Sequence, residues 1–279
     1  MRTDAGLGGI SWSPATVLES QRMPLVHEEA ILQEAAVSLV INGDPYAVMM
    51  ATPDHLEDFF CGFLWSEGVL RSLEEIIAWE SVHVAEGWAL YIQLSPAAAE
   101  RVERKRRCVI GGSACGLCGT PCFTGLVPFP SLKRDLATTD AEAIHALLAT
   151  MQQQQDLNQT TGTAHAAVLA TSLGVLVRED IGRHNAVDKS IGAALQQGIA
   201  YGQAALLGVS SRLSFEIALK ALGFGIPVVA AISGISSLAI QLAESHGLTL
   251  IGYARDGRMT VYAHGERIRG CSGSIPMDC

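Results

Sequence analysis

Charged residues are scarce in this chain: Asp, Glu, Lys and Arg make up only 17% of 279 residues, against roughly 25% in an ordinary globular domain. With 49% hydrophobic residues, that scarcity excludes a disordered linker and implies a densely packed interior. Basic charge is the scarcer kind, 19 Lys and Arg against 28 Asp and Glu, for a net charge of −9. Extended nucleic-acid binding is disfavoured, because it needs many cations to neutralise phosphates; a small anionic ligand in one basic pocket is not. Neither a P-loop nor a G-x-G-x-x-G fingerprint occurs, which argues against ATP hydrolysis and NAD binding. The mean hydropathy of +0.28 raises the question of a membrane span. Residues 221–243 carry no charge and are long enough to cross, yet they hold Gly223, Gly225, Pro227, Ser233, Gly234, Ser236, Ser237 and Gln241. They read instead as strand, turn and helix inside a sheet protein, and no membrane insertion is expected. The N-terminal apolar stretch is too short and too polar for a signal peptide, so the chain is expected in the cytoplasm, where thiols stay reduced. Seven cysteines, an odd number, also argue against a secreted disulfide framework.

A chain of this length can bury one large core or two modest ones, and two lobes in one body are expected, 1–130 and 131–279. Residues up to Gln33 read as polar loop, with Pro14 and Pro24. Residues 36–41 and 46–50 flank Asn42-Gly43-Asp44 as a hairpin. Thr52 and Pro53 read as N-cap and first residue of a helix whose Leu56, Phe59, Phe60, Phe63 and Leu64 recur at helical spacing before Gly68. Residues 81–84 and 89–94 form a second strand pair around Glu86-Gly87. A basic run, Arg101, Arg104, Lys105, Arg106 and Arg107, leads to a glycine-rich loop, and the boundary falls near Pro128 to Pro130. Residues 141–154 have helical spacing. In the second lobe, strands at 166–170, 174–177, 204–209, 227–232 and 248–253 alternate with helices, one of them from about Asn185 to Gln197, and Ser214 reads as an N-cap. That alternation predicts an α/β sheet, mostly parallel, with helices on both faces.

Chemistry concentrates in three places. Gly111, Gly112, Ser113, Ala114, Cys115, Gly116, Leu117, Cys118 and Gly119 mount a C-x-x-C pair on a segment of small residues. Thiolates are nucleophiles and soft metal ligands, so the pair announces redox exchange, sulfur carriage or metal binding, and the loop at about 108–122 is expected to swing. Cys108 and Cys122 bring the cluster to four, enough for zinc or an iron–sulfur centre. Against a metal, Cys108-Val109-Ile110 reads as a strand and no second C-x-x-C follows. The neighbouring arginines could depress a thiol pKa or be a solvated face. The second place is Arg178 to Lys189, a dense ionisable set where a strand meets a helix. It reads either as a site or as a salt-bridged helix start. The third is a pair of Ser-rich helix openings, Ser210, Ser211, Arg212, Ser214 and Ser233, Ser236, Ser237, joined by the turn Arg255-Asp256-Gly257-Arg258. Helix N-termini present free N–H donors to phosphates, although serines there are often plain caps. His165 and Cys61 read as core, and Cys271 and Cys279 as tail residues.

These motifs together resemble the formate dehydrogenase accessory sulfurtransferase family, FdhD. The resemblance rests on the C-G-L-C-G segment from Cys115, Thr163-Ala164-His165-Ala166-Ala167, Glu179 to Lys189, Ser210-Ser211-Arg212 and the stretch 252–262. It implies a cytidine-deaminase-like α/β fold, a mixed sheet covered by helices with a smaller α+β N-terminal lobe, in a homodimer. It further implies a sulfur carrier that takes persulfide sulfur from a cysteine desulfurase and passes it to the bis-molybdopterin guanine dinucleotide of a molybdenum or tungsten formate dehydrogenase. That dinucleotide is a bound substrate, and no permanent cofactor is expected. Cys115 matches the persulfide cysteine and Cys118 its helper, able to resolve a spent Cys115 as a disulfide. Tyr253, Ala254, Arg255, Asp256, Gly257 and Arg258 match the cofactor-binding turn, and Arg183, His184, Ser210, Ser211, Arg212 and Ser233 are expected around the same anionic ligand. Zinc is not expected, because the H-x-E and P-C-x-x-C ligand set is missing: Ala166 and Ala167 follow His165. Cys108, Cys122 and the tail after Arg267 lie outside the family pattern. A cysteine-cluster metal protein and a docking scaffold between desulfurase and dehydrogenase are the alternatives.

Overall fold

The computed structural model describes residues 9–108, 131–132 and 138–269. Cys115, Cys118, Cys122 and the expected boundary at Pro128 to Pro130 lie outside the described residues, as do Cys271 and Cys279. Ile10–Val17 (β1) and Leu25–Leu32 (β2) pair antiparallel as a two-stranded ribbon where the sequence reads as loop. A ribbon wetted on most of its surface shows no alternating apolar stripe, and Pro14 is tolerated because each strand keeps a free edge.

The Asn-Gly hairpin forms as expected. Asn42 and Gly43 take positive φ, 51° and 89°, the two-residue turn whose twist suits Ala35–Ile41 (β3) and Asp44–Ala51 (β4). Ile76–Val84 (β5) and Gly87–Leu94 (β6) complete a four-stranded sheet in the order β4-β3-β6-β5. Val37, Leu39, Ile41, Leu90, Ile92 and Leu94 alternate onto one face and bury against Phe59, Phe60 and Leu64 of Leu56–Ser66 (α1). This helix starts later than Thr52-Pro53 implies. Its N-cap position is His55, in the left-handed region at φ 49°. Thr52 is used elsewhere: its N–H donates to Asp180 Oδ2 (3.0 Å) and its hydroxyl oxygen accepts from Ile181 N–H (3.1 Å).

Pro96–Cys108 (α2) carries the basic run, and Cys108 closes this helix instead of opening a strand. The Ala-, Glu- and Arg-rich stretch favours helix strongly enough to carry it to Cys108. Arg101 reaches Glu75 (2.5 Å) and the Val69 carbonyl (2.6 Å), Lys105 reaches Glu67 (2.5 Å), and Arg104 lies 3.6 Å from Glu100. The charge of these three cations is therefore answered by carboxylates of the fold.

Thr139–Asp140 (β7) pairs in parallel with Ile268–Arg269 (β14). The larger sheet comprises His165–Thr171 (β8), Gly174–Asp180 (β9), Ala204–Val209 (β10), Val228–Ala231 (β11), Thr249–Arg255 (β12) and Arg258–Ala263 (β13), in the order β13-β12-β11-β10-β8-β9. Only β10–β11 and β11–β12 are parallel, so the sheet is mixed and not mostly parallel. The cause is local: β8–β9 and β12–β13 are tight hairpins, and a two-residue turn can only return the chain antiparallel. Both faces are covered, as expected. Ala167, Leu169, Leu207, Val209, Val229, Ala231 and Leu250 pack with Arg183–Gln196 (α5), Phe215–Phe224 (α6) and Ser237–His246 (α7). The alternate residues Ala166, Val168, Leu206, Val228, Ala230 and Ile251 pack with Ala141–Gln153 (α3), which is followed by the short Asp156–Thr161 (α4). Residues 221–243 are helix end, strand β11 and helix start, and no described helix is long and apolar enough to cross a membrane.

The two sheets meet where α1 lies on α5. A Cβ on Gly62 would stand 1.8 Å from the Asp188 carbonyl oxygen, and one on Gly192 would stand 1.8 Å from that of Asp58. The helix backbones touch directly because each offers a glycine to the other's carbonyl.

Candidate functional site

Strand direction decides which residues meet. β10, β11 and β12 run parallel, so their carboxyl ends share one edge; β8 opposes β10, and β9 opposes β8, so the start of β8 and the end of β9 lie there too. One edge of the sheet thus gathers His165, the turn at 180–184, the Ser210 to Ser214 loop, the Ser233 to Ile235 loop and the Tyr253 to Arg258 hairpin. Backbone bonds join neighbouring loops: Leu213 N–H to the Gly234 carbonyl (3.0 Å), Ser236 N–H to that of Leu213 (3.0 Å), and Tyr253 N–H to that of Ser233 (3.0 Å). Open α/β sheets bind ligands at such strand ends.

The serines are largely occupied by the fold. Ser210 Oγ accepts from Ala166 N–H (2.9 Å), and the buried Ser211 donates to the Arg212 carbonyl (3.0 Å). Ser214 holds the N-cap position of α6, but its hydroxyl faces His184 Nε2 (3.3 Å) and Glu216 (3.4 Å), not a helix N–H. Ser236 is a true cap of α7. The cations are the free partners. Among the described residues, Arg183, Arg212, Arg255 and Arg258 make no ion pair, and Arg183 Nε is buried without a hydrogen-bond partner. Four unpaired guanidinium groups on one edge of an acidic protein fit a ligand with several negative charges. The hairpin turn uses Asp256 and Gly257 at positive φ, 54° and 70°, and sets Arg255 opposite Arg258. Ala254 is buried beneath. Tyr253 is itself left-handed (φ 51°) and half-exposed, its ring lying on Gly234, where a Cβ would stand 2.7 Å from the phenolic oxygen.

Two histidines sit near Arg183, and one of them near Arg212 as well. His165 is not sealed in the core; it lies half-buried, its pKa lowered by burial and by Arg183 and Arg212. Its signal in the sequence was its place at the start of a strand that turns out antiparallel. His184 is pushed down to about 4 by burial, then by Arg183, Lys220 and His165. A neutral ring therefore donates from Nε2 to Glu216 Oε2 at 2.8 Å. The unfolded chain takes up a proton near pH 6.5 that the folded ring refuses. His184 thus withdraws stability, on the order of 1–3 kcal/mol for a mostly buried ring, as pH falls from about 6.5 to about 4. NMR titration should give a His184 midpoint near 4; a midpoint at 6.5 or above would contradict this environment.

The dense set from Arg178 to Lys189 divides. Asp180 and Lys189 form a fully buried ion pair (2.7 Å), Arg178 pairs with Asp58 (2.7 Å), and Asp188 accepts from Lys220 (2.7 Å) and Ser66 (2.7 Å). Glu179 accepts from the N–H groups of Leu157 and Asn158 at the start of α4. Only Arg183 and His184 face the edge. A concavity of about 510 Å³ on the four-stranded sheet, lined by Asn42, Trp79, Glu80 and Tyr91, holds one carboxylate and no cation, so it does not suit an anion. Among the described residues no group of His, Cys, Asp and Glu is placed to hold a metal ion, and Cys61 is buried in α1 with its thiol pKa raised by burial.

Comparison with known proteins shows the family to which the chain belongs. The pattern of the FdhD/NarQ family matches residues 32–269. A sulfur carrier protein FdhD from Xanthomonas euvesicatoria pv. vesicatoria (strain 85-10) is 40% identical over 245 residues, 86% of each chain. One from Cupriavidus necator is 38% identical over 247 residues, 88% of this chain and 85% of that one. The crystal structure of a protein described as a formate dehydrogenase accessory protein, from Desulfotalea psychrophila, superposes with a TM-score of 0.72 at 24% identity. It covers 93% of this chain and 99% of that one, and shows the fold alone.

Proposed function

The chain belongs to the FdhD/NarQ family, and from that premise we propose that it is a sulfur carrier serving a formate dehydrogenase, with Cys115 as the carrying thiol. The observation that supports this reading is that the family match encloses both the C-x-x-C pair and the arginine-lined edge. In the first step the Cys115 thiolate attacks the outer sulfur of a desulfurase persulfide. The S–S bond of the donor breaks, the donor cysteine leaves as thiolate, and Cys115 holds the persulfide. Cys118 stands three residues on as the partner that resolves an oxidised Cys115.

The acceptor is the bis-molybdopterin guanine dinucleotide, bound as substrate. Its phosphates would be held by Arg183, Arg212, Arg255 and Arg258, by loop N–H groups and by the uncapped first turn of α5, whose N-cap is Gly182. Tyr253 offers an exposed ring for a base to stack on. The neutral histidines leave the arginines as the fixed charges of the site. We further propose that the larger sheet is of the cytidine-deaminase type, and that the protein works in the cytoplasm as a homodimer with the desulfurase and the dehydrogenase as partners.

The test is intact mass without reductant after incubation with a cysteine desulfurase and cysteine. Wild type should gain the mass of one sulfur and Cys115→Ala none, while Cys118→Ala still gains it. Equal gain in the Cys115→Ala protein, or none in wild type, would sink the assignment.

A further inference from the structure

Thr52 directly follows the last strand of the four-stranded sheet, yet its N–H and hydroxyl serve the turn that starts α5, and its carbonyl serves Lys189 of that helix as well as Asp54 N–H (2.8 Å). Its N–H donates to Asp180 Oδ2 (3.0 Å), its carbonyl accepts from Lys189 Nζ (3.0 Å), and its hydroxyl oxygen accepts from Ile181 N–H (3.1 Å). Met50, two residues earlier, accepts from Asn185 Nδ2 (2.9 Å), which also donates to Asp180 Oδ1 (2.9 Å). Within the turn itself only Gly182 N–H to Asp180 Oδ1 (2.7 Å) braces it. Residues 180–182 are therefore braced from the other sheet as well as by Asn185 and Lys189 of α5, and the next two residues are Arg183 and His184.

We propose that Thr52 is a positioning residue for the anion-binding edge, holding the 180–182 turn so that Arg183 and His184 face the ligand. The inference rests on the reading of that edge as the anion site. Thr52 is fully buried and touches no ligand position, so it acts through the turn alone. Its methyl has a separate task, since a Cβ on Gly9 would stand 2.6 Å from it. The two substituents of one side chain can thus be removed one at a time. Thr52→Val keeps the methyl and shape but orphans the Ile181 N–H; Thr52→Ser keeps the hydroxyl and loses the methyl.

The full chain is compared as wild type, Thr52→Val and Thr52→Ser, with inorganic pyrophosphate as probe in calorimetry and the His184 ring followed by NMR. His184 is surrounded by Arg183, Lys220, His165, Glu216 and Ser214, so a displaced turn alters its surroundings. Thr52→Val should bind pyrophosphate about tenfold more weakly, the cost of one hydrogen bond, and raise the His184 midpoint from about 4 by about one unit. Thr52→Ser should restore both. A valine variant with unchanged affinity and midpoint overturns the proposal, and so does a serine variant that fails as badly, because the methyl would then be the operative group. Wild type that does not bind pyrophosphate overturns the anion-site reading, and the inference with it, whatever the persulfide result for Cys115.

Discussion

Lys189→Met should cost about 3–5 kcal/mol of unfolding free energy, the loss expected when one member of a buried ion pair is removed and the other stays. Lys189 and Asp180 are both completely buried at 2.7 Å, and the ammonium also donates to the carbonyl of Thr52. With the ammonium gone, the carboxylate keeps three donors, Thr52 N–H, Gly182 N–H and Asn185 Nδ2, but no countercharge. Asp180→Asn in the same chain removes the stranded charge and should recover part of the loss, so the double variant is more stable than the sum of the singles implies. Urea denaturation of the four proteins measures this. A Lys189→Met cost below about 1 kcal/mol would mean that the pair contributes no more than a surface one.

Gly192→Ala should destabilise by about 3 kcal/mol or more, at or above the upper end for overpacking, because the obstacle is backbone and not the end of a flexible side chain. The new methyl would meet the Asp58 carbonyl at 1.8 Å, so α1 and α5 must part. Parting them strains the bonds from Arg178 to Asp58 and from Ser66 to Asp188 that flank the crossing. Gly62→Ala meets the Asp188 carbonyl at the same distance and should behave alike. One separation of the helices relieves both clashes, so the double variant should cost clearly less than the two singles added. Gly257→Ala is the control. It has positive φ but nothing within 4 Å, and should cost only about 1 kcal/mol for the left-handed backbone. Equal losses at Gly192 and Gly257 would show that the helices have room to move apart freely.

The Lys189 bond to Thr52 and the Gly62 and Gly192 contacts at the helix crossing join residues more than 100 positions apart, and that is where sequence reading stops. The Asn42-Gly43 hairpin, α1, α3, α5 and the strands from β8 to β12 were legible because period and turn chemistry are local. Thr52-Pro53 carries the local signature of a helix start, and only the partner at Asp180 shows that the threonine is used elsewhere. Cys108 reads as opening an apolar strand only when the run from Cys108 is weighed without the helix that reaches it from Pro96. The ribbon β1–β2 was missed because a wetted ribbon needs no apolar stripe. In the Arg178 to Lys189 segment, composition shows that charge is concentrated but not whether each charge faces a partner or a ligand.

By itself the sequence determined the chemistry available: a C-x-x-C pair among glycines, a deficit of cations that makes each unpaired arginine informative, and motifs ordered as in one family. Only the tertiary structure decided which of those residues share a surface. The two-residue turns of β8–β9 and β12–β13 are local, but the antiparallel pairing of β10 with β8 is set by hydrogen bonding between distant segments and leaves no trace in local pattern, so a sheet whose strand and helix alternation predicts mostly parallel pairing is mixed. That same antiparallel pairing brings His165 and the end of β9 to the edge where the parallel strands finish, the edge that also carries Arg212, Arg255 and Arg258.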